Sequence, residues 1–179
     1  MVVSPGPVAS DAVDAAGEDM PVALPVGPQE PVEGPFWEGL RANEVRLQHC
    51  PDCDRWIWEP SWVCPQCYRF DPPWQAIDPV GEVYAWTTTR HAFPASLEFA
   101  DALPYTTALV SLTNAGGRRL LGIVTGGATV RIGTPVRAWI QPASELTGGW
   151  PVLRWRAVSV PTGSEDVADE PADTGENRG

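Results

Sequence analysis

Cys50-Pro51-Asp52-Cys53 and Cys64-Pro65-Gln66-Cys67 decide how this chain is read. Each is a C-x2-C pair, and ten residues separate Cys53 from Cys64. A C-x2-C turn carries its thiolates to one side of a tight loop, so two such turns facing each other complete a tetrahedron around a single cation. Zinc has no d-electron preference of its own and accepts sulfur ligands at about 2.3 Å. The spacing predicts a zinc ribbon in which Cys50, Cys53, Cys64 and Cys67 hold one structural zinc. With every ligand supplied by protein, no position is left for water or substrate, which speaks against a catalytic metal. The residue after each second cysteine is often glycine, because the knuckle asks for a positive φ. Here it is Asp54 and Tyr68; Asp tolerates that region, whereas Tyr has no evident reason to be there.

Upstream of the first knuckle, Val45-Arg46-Leu47-Gln48-His49 alternates apolar and polar, the period of a strand. Before it, Phe36, Trp37 and Leu40 share one face of a short helix running towards Arg41. Between the knuckles, Trp56-Ile57-Trp58 is β-prone and stops at Pro60, and Asp71-Pro72-Pro73-Trp74 reads as a rigid connector. From Gly81 the pattern turns to β-rich runs broken by turn chemistry, with strands expected at 82–91, 106–113, 118–125, 135–142 and 150–158. Asn114-Ala115-Gly116-Gly117, Gly126-Gly127 and Gly148-Gly149 mark turns, and 91–104 is a long loop. Five short strands without a long helical period make the chain mainly β, and a five-stranded OB-fold barrel is the natural candidate.

Towards the ends the composition changes. Residues 1–34 carry six acidic residues and no basic one, and 159–179 carry six acidic residues and one Arg. Such segments cannot bury enough apolar surface to offset the entropy of ordering, so both read as disordered acidic tails. The expected division is a tail over 1–34, helix and ribbon over 35–78, barrel over 79–158 and a tail over 159–179. The net charge of -11 belongs to the tails. Taking their twelve acidic residues from 23 and their one Arg from 12 leaves eleven of each sign in the core. A nucleic-acid binder ordinarily carries a basic surplus on its folded face, which is missing here. There is no Lys, and all twelve basic residues are Arg, as a GC-rich genome would favour. No membrane span or secretory signal is readable, so a cytoplasmic, reducing location is expected, and paired cysteines there point to metal before disulfides.

A self-sufficient catalytic site is not legible. His49 precedes a metal ligand, and His91 stands beside Arg90 at the start of the long loop. Ser61, Ser96, Ser111 and Ser144 have no nucleophile-elbow context, and Glu98 and Asp101 read as solvated charges. The nine tryptophans are the less usual feature. Phe36, Trp37, Trp56, Trp58 and Trp62 are candidates for an interface with another protein, since Trp is enriched at such sites. The same rings could equally fill the seam between ribbon and barrel.

Phe36-Trp37-Glu38, the CPxC knuckles, Gly81-Glu82-Val83-Tyr84, Leu103-Pro104-Tyr105 and Val130-Arg131-Ile132-Gly133 follow in an order that resembles the OB-fold acyl-CoA-associated proteins with a rubredoxin-like zinc ribbon, the family of domain of unknown function 35. The resemblance covers about 35–158. It implies a partner subunit of a thiolase-like enzyme, of an aldolase on the same fold, or of a hydratase, in CoA-thioester metabolism such as steroid side-chain or aromatic-acid degradation. The implied role is to bind the partner in a hetero-oligomer and help hold its acyl-CoA, with the nucleophile on the partner chain. CoA would ask for Arg near its phosphates and an aromatic face near adenine, and Trp86, Arg90, His91 and Phe93 form such a cluster at the expected barrel mouth. Two other functions stay open. One is a single-stranded nucleic-acid binder, disfavoured by charge; the other is a rubredoxin-like electron carrier, since four cysteines also bind iron.

Overall fold

The computed structural model describes residues 27–91 and 102–158. The expected tail segments 1–26 and 159–179 lie outside the described residues, as do Phe93, Ser96, Glu98 and Asp101. Of the segment 1–34 that composition assigns to the tail, 27–34 are among the described residues and 31–34 are helical. Pro31–Glu33 form a 3-10 turn leading into helix α1 (Gly34–Arg41). Pro35 near the helix start removes a backbone N–H that would have no partner anyway, and Arg41 in the last turn complements the carbonyl end. The helix turns Phe36, Gly39 and Leu40 inward.

Strands β1 (Val45–Cys50), β2 (Arg55–Ile57) and β3 (Trp74–Ile77) form an antiparallel sheet in the order β2-β1-β3. The alternation seen in the sequence buries Val45 and Leu47 and leaves Arg46 and His49 half-buried. β3 is the strand that sequence reading missed, since the connector through Pro73 is followed at once by pairing of Trp74 with Gln48.

The second sheet is a closed five-stranded barrel of β4 (Val80–Thr89), β5 (Tyr105–Leu112), β6 (Arg119–Val124), β7 (Pro135–Gln141) and β8 (Val152–Ala157), in the order β4-β5-β6-β8-β7. β4 pairs with β7 to close it, and β6 meets β8 in parallel. This is the expected OB-fold, with every strand boundary within two residues of its sequence assignment. Gly81 sits where β4 comes closest to its neighbour: a Cβ there would lie 2.2 Å from the Ser111 carbonyl oxygen. Three residues on, the register of β4 against β5 shifts at Tyr84, the kind of bulge that bends a strand round a barrel.

One apolar core runs through both sheets. Phe36, Leu40, Val45, Leu47 and Ile77 on the ribbon side are continuous with Val83, Val110, Leu112, Leu120, Val136 and Trp155 in the barrel. The join is tied by Asp78, whose carboxylate pairs with Arg137 of β7 and whose carbonyl accepts from Asn114 Nδ2 at 3.3 Å. Among the described residues no helix is long and apolar enough to cross a membrane.

Candidate metal centre and barrel-end cleft

The four cysteine sulfurs all lie within 4.8 Å of one another, with Cys50 Sγ 3.5 Å from Cys67 Sγ and Cys53 Sγ 3.6 Å from Cys64 Sγ. A tetrahedron with metal–sulfur bonds of about 2.3 Å has edges of about 3.8 Å. The thiols therefore stand where a tetrahedral cation would hold them, and the donor set suits zinc. β1 delivers Cys50 at its end, and the tight turn to β2 delivers Cys53. Asp54 and Tyr68 have φ of 57° and 63°, the left-handed turn each knuckle needs. The turn after Cys64 is closed by Tyr68 N–H donating to the Cys64 carbonyl at 3.0 Å and by Cys64 N–H donating to the Arg69 carbonyl at 2.8 Å.

The metal-free thiols do not ionise alike. Burial pushes Cys64 up, but N–H donors of Cys67 and Gln66 and the neighbouring thiols of Cys53 and Cys50 outweigh it and bring Cys64 down to about 6. Burial and hydrogen bonds with Cys64, Cys67 and Cys50 push Cys53 up to about 12. At neutral pH Cys64 is thus ionised where Cys53 keeps its proton. Arg69 stands by as counter-charge: it bonds Asp52 at 2.7 Å, and the Cys50 and Cys67 sulfurs add to the pull that keeps it protonated.

Gln48 was not singled out in the sequence, yet it holds the second knuckle in place. It is buried, accepts from Ser61 N–H at 2.8 Å, and donates to the carbonyls of Ser61 at 3.0 Å and Pro72 at 3.4 Å. These contacts pin both ends of the segment that contains Cys64 and Cys67. His49 is taken up structurally, 3.0 Å from Asp54 and stacked on Trp56 at 4.4 Å.

The tryptophans divide. Trp37, Trp56, Trp58 and Trp74 are half-buried against the core, and Phe36 is buried beneath Trp58 at 4.7 Å. Trp37 and Arg41 clasp Trp150 of the β7–β8 loop at 5.9 Å and 3.9 Å. Of the five residues expected at an interface, four pack in this way, and Trp62 stays 50% exposed. Trp62 has company in Val63, Tyr68 and Phe70, which make the second knuckle an exposed apolar surface with Tyr68 at 79% and Phe70 at 71%.

A second feature lies at one end of the barrel, a cleft of about 530 Å³. Trp86 and Thr88 share register with Ala108 and Thr106, and these with Gly122 and Val124, so they occupy inward positions. Ala108 is fully buried. Ala108 and Gly122 are small, and Trp155 fills the space against Gly122, whose added Cβ would lie 2.8 Å from the ring. Above that floor, Trp86, Thr88 and Arg90 form one wall, Pro104, Tyr105 and Thr106 another, and 124–130 a third. Of the expected ligand cluster, Trp86 and Arg90 line this cleft. His91 is exposed beyond β4 and is not among the lining residues. The threonines went unnoticed, although for Thr88 the period-two spacing 86, 88, 90 along β4 and just past its end was the available signal.

Two family models match the chain. The ChsH2 rubredoxin-like zinc ribbon domain matches 37–72, and the ChsH2 C-terminal OB-fold domain matches 74–141. A solved structure described as the Ltp2-ChsH2(DUF35) aldolase is 25% identical, with a TM-score of 0.62, over 74% of this chain and 98% of that one. A DUF35 protein of unknown function from Sulfolobus solfataricus is 23% identical with a TM-score of 0.49, over 72% of this chain and 86% of that one. No curated protein matches. Together the two models span more than half of the chain, and the chain belongs to the DUF35 family of ChsH2-type proteins, in which a rubredoxin-like zinc ribbon precedes an OB-fold.

Proposed function

We propose that this member of the ChsH2-type family is a non-catalytic accessory subunit of an aldolase-type enzyme that makes or breaks carbon–carbon bonds in acyl-CoA thioesters. The observation that carries the reading is the match, over 98% of its length, to a chain of an Ltp2-ChsH2 aldolase. The partner chain carries the nucleophile; this chain binds it through the ribbon and helps hold the thioester at the barrel-end cleft, where Trp86 and Arg90 stand. Zinc at Cys50, Cys53, Cys64 and Cys67 keeps the ribbon folded and supplies no open coordination position.

The second knuckle is the face offered to the partner. Tyr68 supports this choice on physical grounds. Its φ of 63° is a conformation that costs a side-chain-bearing residue about 1 kcal/mol or more. At 79% exposure, packing within this chain does not offset that cost. An aromatic kept where glycine would sit without strain is accounted for by a contact in the assembly.

The test is reconstitution. Titrating the zinc-loaded chain into its isolated partner should restore acyl-CoA cleavage to saturation at a fixed stoichiometry. A partner fully active alone, or turnover by this chain alone, would contradict the proposal.

A further inference from the structure

Among the described residues the cleft's lining is almost uncharged, and this limits which part of a CoA thioester it can take. Arg90 is its single charged residue among those described, and it stands exposed just past the end of β4, at the mouth. The interior carries hydroxyls instead. Thr88 and Thr106 line it with their Oγ1 atoms 3.0 Å apart; Thr125 lines it too, but its hydroxyl already accepts from Trp139 Nε1 at 2.8 Å, and Thr129 stands exposed. Trp86, Pro104, Val124 and Val130 supply apolar wall between them.

The nucleotide half of CoA brings roughly four negative charges, two from its 3′-phosphate and two from its diphosphate. Charge taken out of water needs a matching partner, and one guanidinium leaves most of this unmatched. The pantetheine arm is neutral. Its amides and hydroxyl want donors and acceptors, and its methyls and methylenes want apolar wall. A cleft of about 530 Å³ is of the size that ligand sites have, about 300–1,000 Å³.

Resting on the acyl-CoA reading above, we infer that the cleft takes the pantetheine arm of the thioester, with Arg90 at the mouth meeting the diphosphate and the adenosine 3′-phosphate left outside. This reverses the sequence expectation of an aromatic face for adenine. Trp86 packs on the arm, and Thr88 and Thr106 bond its amides.

Amide chemical shifts of the isotope-labelled, zinc-loaded full chain test this with coenzyme A, D-pantetheine and adenosine 3′,5′-bisphosphate as separate probes. Coenzyme A and pantetheine should both move the amides of Thr88, Thr106, Gly126 and Gly127, and the bisphosphate should leave them in place. Arg90→Ala should weaken coenzyme A about three- to tenfold while leaving pantetheine unchanged, and Thr106→Val should weaken both by a similar factor, the scale of one lost hydrogen bond. If the bisphosphate alone moves the same amides, or pantetheine moves none while coenzyme A does, the arm assignment is overturned and the acyl-CoA reading survives. If coenzyme A moves none, both fall.

Discussion

Gln48 shows how much a single buried amide can do when its partners are backbone. Replacing it with Leu keeps the volume roughly similar but strands the Ser61 N–H and carbonyl, and buried groups left without partners cost about 1–3 kcal/mol. Gln48→Leu should lower the unfolding midpoint and speed zinc loss to a chromogenic chelator, and unchanged zinc retention would rule out a bracing role. The cysteines add a pH dependence. Cys64 is lowered from 9.0 to about 6, so its thiolate stabilises the folded ribbon fully above 9 and that contribution is lost as pH falls through about 6. Cys53, raised to about 12, holds its proton through neutrality in the metal-free chain, so loading must expel it. Zinc should be retained at neutral pH and released below about 6, since bound metal depresses the thiols further. A site that empties above pH 7 would contradict this.

Among the elements, the second knuckle and β4 carry the most specific expectations. Tyr68→Gly should stabilise the isolated chain by about 1 kcal/mol, by relieving the left-handed strain, while weakening assembly with the partner. Stabilisation with assembly intact would remove Tyr68 from the interface. Gly81→Ala should cost more than about 2 kcal/mol, because its Cβ would strike backbone at 2.2 Å instead of a side chain that could move. Thermal denaturation followed by far-ultraviolet circular dichroism measures it. Most of these elements were legible beforehand because each has a local signal: the knuckle spacing, the alternation of Val45–His49, and the glycines bounding the barrel strands. β3 was not, because four residues after a Pro-Pro pair carry too little pattern, and it is pairing with β1 that makes them a strand. Which aromatics end in the seam is likewise a tertiary matter. Trp58 and Trp62 look alike in sequence, and only the proximity of Phe36 to Trp58 separates them.

At the scale of the whole molecule, the continuous core from Phe36 to Trp155 means that ribbon and barrel support one another. Structural zinc binding is worth about 10–16 kcal/mol in small ribbons, so removing it should lower the unfolding temperature of the entire described core in one transition. Two separate transitions, with the barrel unmoved by chelation, would show independent units. The eleven acidic and eleven basic residues of the core leave the acidity to the ends. On the proposed function, the folded unit joins a larger enzyme. Native mass spectrometry of the full-length chain, gently purified from its own host, addresses it most directly. The expected result is a hetero-oligomer containing an aldolase-type subunit and one zinc per copy of this chain, which comes apart when zinc is chelated. A zinc-loaded chain that is recovered alone, at the mass of one copy, would contradict it.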